Sequence, residues 1–140
     1  MLACVALAVS ACGTTARGVS TPRAAAPVNL TVYIDNSKVS VSPAIVGAGP
    51  VDFIITNQAT QAESLAILRG GADAGQSLAN TGPINPQGTA QVTVDFSAPG
   101  SYSLATAGGG AGAGAGSTIR AASIHIGAKR ASSDSQLLQP

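Results

Sequence analysis

The sequence predicts an all-β fold, a Greek-key β-sandwich of about seven short strands. Three observations carry that expectation. Apolar and polar residues alternate over several short runs. Clusters of Gly, Pro and Asn separate the runs. No stretch repeats its apolar residues at the helical period.

The first run, VNLTVYID, places Val28, Leu30, Val32 and Ile34 on one face and Asn29, Thr31, Tyr33 and Asp35 on the other. Asn36-Ser37 makes a turn. KVSVSPAIV then offers Val39 and Val41, and Pro43 marks an edge or a bend because proline has no N–H for a ladder. Gly47 to Pro50 form a turn cluster. VDFIITN directs Val51, Phe53 and Ile55 inward and ends at Asn57, and ESLAILR, from Glu63 to Arg69, is a further strand. Residues 70 to 89 read as a long polar loop rich in Gly and Pro. AQVTVDFS supplies Val92, Val94 and Phe96; after Pro99-Gly100, SYSLATA supplies Tyr102 and Leu104. A glycine-alanine loop leads to STIRAASIHIG, the last strand, with Ile124 and Ile126 inward and His125 on the opposite face. Val, Ile and Thr suit a pleated, half-buried surface.

Composition narrows the function. The 140 residues fit one domain, with about 100 of them in a thin core. Hydrophobic residues reach 45%, much of it alanine, and aromatics only 3%, with no Trp, so Val, Ile and Leu must fill the interior. Charged residues are 9% and the net charge is +1, with Lys and Arg scattered, which argues against nucleic acid as a partner. The two cysteines, Cys4 and Cys12, lie before the domain and cannot staple it.

The chain opens on an apolar run, Leu2 to Val9, too short to span a bilayer, which needs about 20 residues. It fits the hydrophobic part of an export signal. Val9-Ser10-Ala11-Cys12 follows, and this resembles the bacterial lipobox. The resemblance implies cleavage before Cys12, a lipid on its thiol, and attachment to the outer face of the cell membrane. An ordinary signal peptide with a coincidental cysteine is the alternative. No Lys or Arg precedes Arg17, where a signal peptide carries one near its start; the expected explanation is a start codon further upstream. Residues 13 to 27 are small, polar and proline-bearing, a flexible tether with a reach of roughly 20 Å. The expected organisation is a signal peptide over 1–11, lipidated cysteine and tether over 12–27, sandwich over 28–128, and a disordered tail over 129–140.

Three segments carry a resemblance to the cupredoxin family: V-D-F-I-I-T-N at Val51 to Asn57, E-S-L-A-I-L at Glu63 to Leu68, and A-P-G-S-Y-S-L at Ala98 to Leu104. The likeness runs from Val28 to Gly127 and implies that family's sandwich. It does not extend to the copper ligands. Type 1 copper takes two imidazoles and a thiolate. By position, Glu63 stands near where the first His belongs and Thr106 where the Cys belongs, and Ala107 to Gly116 replace the loop of the remaining ligands. The expectation is a cupredoxin-like domain without copper and without any other cofactor.

Other chemistry is sparse. His125, the only histidine, is expected to be a satisfied or solvent-facing strand residue; a metal role needs neighbours such as Glu63 or Asp73. Glu63 could hold a hard cation with Asp73 or Asp52, but calcium takes six to eight oxygens and no acidic loop is present. G-x-S-x-G does not occur, and one histidine would have to serve as base for any serine nucleophile. The stretch Gly108 to Ala113 matches a relaxed dinucleotide fingerprint, but a strand follows it where a helix is needed. The sequence therefore reads as a non-enzymatic, monomeric, lipid-anchored envelope protein, a binding or scaffolding module for an envelope protein partner. Its loops at 57 to 62, 70 to 89 and 107 to 118 are the recognition surface. Metal handling through Glu63, Asp73 or His125, and an accessory role in an envelope redox complex, are the alternatives.

Overall fold

A computed structural model describes residues 24–70, 75–108 and 118–132. Among them the fold is all-β, with eight strands: β1 (Val28–Ile34), β2 (Val39–Ser42), β3 (Ile45–Asn57), β4 (Glu63–Arg69), β5 (Gln76–Ile84), β6 (Thr89–Phe96), β7 (Gly100–Gly108) and β8 (Ala122–Lys129).

The strands form two layers joined through β3. One layer runs β2-β1-β3-β6, with β1 parallel to β3 and antiparallel to β2, and with β6 antiparallel to β3. The other runs β3-β8-β7-β4-β5. There the start of β3, Ile45 to Ala48, lies parallel to β8, and the remaining pairs are antiparallel. From Gly49 onward β3 pairs with β6 in the first layer. The Gly47–Pro50 cluster expected as a turn is thus where the chain leaves β8 for the first layer, and the register shift beside it leaves Ala128 of β8 unpaired between the partners of Gly47 and Ala48.

The alternating residues form the core as expected. Leu30, Val32 and Ile34, then Val51, Phe53 and Ile55, then Val94 and Phe96, Tyr102 and Leu104, and Ile124 and Ile126 all lie in one buried cluster. Three of the four aromatic residues meet edge to face: Phe53 and Phe96 at 6.1 Å between ring centroids, Phe96 and Tyr102 at 4.6 Å. The Tyr102 hydroxyl donates to the Ala98 carbonyl at 3.0 Å, closing the turn before β7. Asp35 organises the β1–β2 turn, accepting from the Ser37 N–H and hydroxyl and the Lys38 N–H at 2.7, 2.7 and 2.9 Å. β2 ends at Ser42, before a cis bond to Pro43, and lies at the edge of its layer.

Three expectations need correction. The stretch 70 to 89 is not one loop: it contains β5, an edge strand paired with β4 through two register shifts. Its residues are mostly exposed, so it has no apolar alternation to display. The last strand begins at Ala122, later than Ser117. It continues through Lys129, and Arg130 is bound to the domain, so ordered structure passes the boundary drawn at 128.

Arg130 fastens the start of the domain to its end. Its guanidinium donates to the carbonyls of Ala26 at 2.7 Å, Gly47 at 3.2 Å and Pro50, while its own N–H bonds the Ala48 carbonyl at 3.0 Å. Glycines make room for it. A Cβ on Gly47 would lie 2.6 Å from the Arg130 Cγ, and one on Gly49, at φ 130°, would lie 2.9 Å from its Nη2.

Candidate functional site at the loop end

The inward faces of three strands share one departure from the apolar pattern. On β3 the series Val51, Phe53, Ile55 ends at Asn57; on β7 the series Tyr102, Leu104 ends at Thr106; on β4 Glu63 precedes Leu65 and Ile67. Asn57 is 0% exposed, Thr106 1% and Glu63 8%. All three lie at one end of the sandwich. Glu63 is opposite Gly108 and Leu65 opposite Thr106, so Glu63 and Thr106 are diagonal neighbours on one face, on the order of 7 Å apart.

Asn57 is tied on every side. Its Nδ2 donates to the carbonyls of Gln61 and Ile84, both at 2.8 Å, and its Oδ1 accepts from the Ala59 N–H at 2.9 Å. Its backbone N–H and carbonyl bond Gly88 and Gln87 at 2.9 and 2.7 Å. One side chain therefore shapes the 58–62 loop and pins it to the β5–β6 turn. The 58–62 loop is also joined to the β1–β2 turn, because the Asn36 Oδ1 accepts from the Thr60 N–H at 2.9 Å and its hydroxyl at 3.1 Å. The segment before β8 completes this end: the Arg120 N–H donates to the Ser37 carbonyl at 2.9 Å, and the Val39 N–H to the Arg120 carbonyl at 2.8 Å.

Glu63 is different. Its Oε2 is buried with no hydrogen-bond partner. Burial raises its carboxyl above the ordinary glutamate range, because the charged form loses water and no opposite charge replaces it.

The other candidates are not brought to this place. His125 is exposed on the outer face of β8, opposite Ser101. Ser101 and Thr106 are five residues apart on β7, which puts the histidine about 16 Å from the level of Thr106. Asp52 lies on the outer side of β3, accepting from the Gln91 Nε2 and, at 2.9 Å, from the Thr93 hydroxyl. Asp73 and Cys12 lie outside the described residues, as does most of the 107–118 loop. Among the described residues, no group of three or more His, Cys, Asp or Glu is placed to hold a metal ion. No helix among them is long and apolar enough to cross a membrane.

Sequence reasoning singled out Glu63 and His125 but not Asn57 as a site organiser. A signal was present: Asn57 occupies an inward position, where the alternation of β3 calls for an apolar side chain.

No protein-family model matches the chain, and no curated protein matches it. Among solved structures it is similar to auracyanin A, a "blue" copper protein from the green thermophilic photosynthetic bacterium Chloroflexus aurantiacus. That likeness has a TM-score of 0.51 and 18% identity, over 72% of this chain and 99% of the other. It is also similar to auracyanin B, with a TM-score of 0.52 and 16% identity, over 76% of this chain and 91% of the other. Sequence identity this low carries the fold alone, and that fold, met here with its elements in the expected order, is a cupredoxin-like β-sandwich.

Proposed function

We propose that this protein is a non-enzymatic, lipid-anchored module of the cell envelope that binds a protein partner through the loop end of a copper-free cupredoxin-like domain. The observation that carries the reading is the polarity of the molecule. The chain enters β1 beside Arg130, where β8 ends, and the cluster of Asn57, Glu63 and Thr106 lies at the far end of the strands. A lipid on Cys12, reached through the 13–27 tether, would hold the Arg130 end at the outer face of the membrane and turn the loops outward.

The donor set supports the copper-free part. The described groups at the loop end are an amide, a carboxyl and a hydroxyl, which offer a metal only hard oxygen donors. The one imidazole is on the outer face of another strand, and both thiols precede the domain. These residues do not fit a type 1 centre. The solved structures the chain resembles are blue copper proteins by description, so copper is the comparison to run.

Two measurements test the proposal. The purified chain, titrated with copper, should show no intense visible band and no stoichiometric metal; one tightly held copper per chain would favour the metal-handling alternative instead. In bacteria, Cys12→Ser should abolish lipid labelling and release the protein from the membrane fraction. Unchanged labelling and retention would remove the anchor from the reading.

A further inference from the structure

The buried carboxyl of Glu63 is the one described side chain that the hydrogen-bonded framework leaves with a buried, unpartnered atom. Among the described residues, its surroundings give it no charge to meet. The residues opposite it, Ile84 on β5 and Gly108 on β7, cannot ionise, and neither can Leu65 or Thr106 beside it. The 58–62 loop (Gln-Ala-Thr-Gln-Ala), the 85–88 turn (Asn-Pro-Gln-Gly) and residues 108 to 119 contain no ionisable side chain. The charged groups of the adjoining turns are Asp35, Lys38 and Arg120. Asp35 is committed to Ser37 and Lys38, while Lys38 and Arg120 are exposed, and none of the three alters the Glu63 carboxyl. A single carboxylate in such a place is poorly suited to a hard cation, which takes several oxygens, and well suited to a proton, which cancels the charge at its source.

We propose that Glu63 is the proton-binding site of a pH-dependent closure of the loop end. Carrying its proton, the carboxyl stays buried and the 58–62 loop and β5–β6 turn remain locked together. On losing that proton to solvent, the carboxylate draws water in and loosens them. The route is short. Glu63 is in register with Ile84, and the Ile84 carbonyl is an acceptor of the Asn57 side chain that also holds Gln61 and Ala59. Water arriving at Glu63 competes for the bonds that close the loops. The direction follows from linkage. The folded state holds this proton more tightly than the open state does. Closure is therefore complete below the ordinary glutamate value and weakens as pH rises from there toward the raised one.

Glu63 is the only glutamate in the chain, so a carbon-13 label in glutamate side chains reports its carboxyl directly in the full-length protein. The Cδ signal should titrate above the ordinary value of 4.5. Hydrogen exchange of the 58–62 and 85–88 amides, corrected for intrinsic chemistry, should accelerate over the same window by up to about tenfold per pH unit, the limit for one proton. Glu63→Gln should abolish that pH dependence while the rest of the exchange pattern stays as it was. Glu63→Met should do the same if the amide is not tolerated. A carboxyl that titrates at or below the ordinary value overturns the proposal. So does a raised titration with loop exchange that ignores it. Neither result bears on the lipid anchor or on copper, so this idea and the proposed function fail separately.

Discussion

The two ends of this sandwich are built on opposite rules. At the tether end a cation is surrounded by backbone acceptors, and the aromatic residues gather nearby, with Tyr102 bonded into its own turn. At the loop end the inward pattern gives way to an amide, a hydroxyl and a carboxyl, and one carboxyl oxygen has no partner. The first arrangement leaves the chain little freedom. The second retains a group whose state can change with its surroundings. A fixed base and an adjustable rim suit the proposed role, in which one end is held and the other binds.

Removing a ring from the base should have the largest effect. Phe96→Ala deletes the middle ring of the Phe53–Phe96–Tyr102 series from a core with few large side chains, and should cost about 4 kcal/mol in denaturant unfolding. A loss below about 1 kcal/mol would mean the base is not the rigid part. Next is the rim. Asn57→Ala strands the Ala59 N–H and removes the donor to two carbonyls, and should cost about 2–3 kcal/mol. Exchange should quicken in residues 57 to 62 and 84 to 88 while the β7–β8 pairing keeps its protection. Uniform loosening would dissolve the distinction between the ends.

Arg130→Ala should cost about 1–2 kcal/mol and speed proteolysis within residues 13 to 27, since Ala26 is released. Arg130→Lys should recover only part of this, because an ammonium cannot span three carbonyls as a planar fork does. Full recovery of wild-type behaviour by Arg130→Lys would show that charge alone sets the contact. The smallest effect belongs to Asp35. Hydrogen bonds from Ser37, chiefly its hydroxyl, and from the Lys38 N–H hold its carboxyl below the ordinary value of 3.8. The stability it contributes is present above that value and lost as pH falls through the lower folded one. Acid unfolding of Asp35→Asn should lack that component, a small change because the group is open to solvent.

The sequence displays the base more fully than the rim. Wherever strands bury one face, alternation reveals both strand and inward set, as at Val28 to Ile34 and Gln91 to Phe96. β5 was hidden because an exposed edge strand with register shifts has no face to alternate, and Gly82 and Pro83 inside it resemble a loop. Glu63 stood out by position and charge, and His125 was expected on the outer face, where it lies. Asn57 was legible only as the end of a strand. Its acceptor at Ile84 is 27 residues away, and no local pattern announces it. Arg130 was harder still: its acceptors are 80, 83 and 104 residues distant, and it follows a segment expected to be the end of order.

The parallel pairing of β1 with β3 has a mechanical consequence. Seven registers join them, from Val28 against Val51 to Ile34 against Asn57. If the anchor pulls on Val28 while a partner grips the 58–62 loop, the two strands are drawn in opposite directions along their length. Every bond of the ladder is then loaded at once, in shear, where a peeling force would break them singly. Under tension between membrane and partner, the domain should resist extension along that axis and yield more readily when pulled across it.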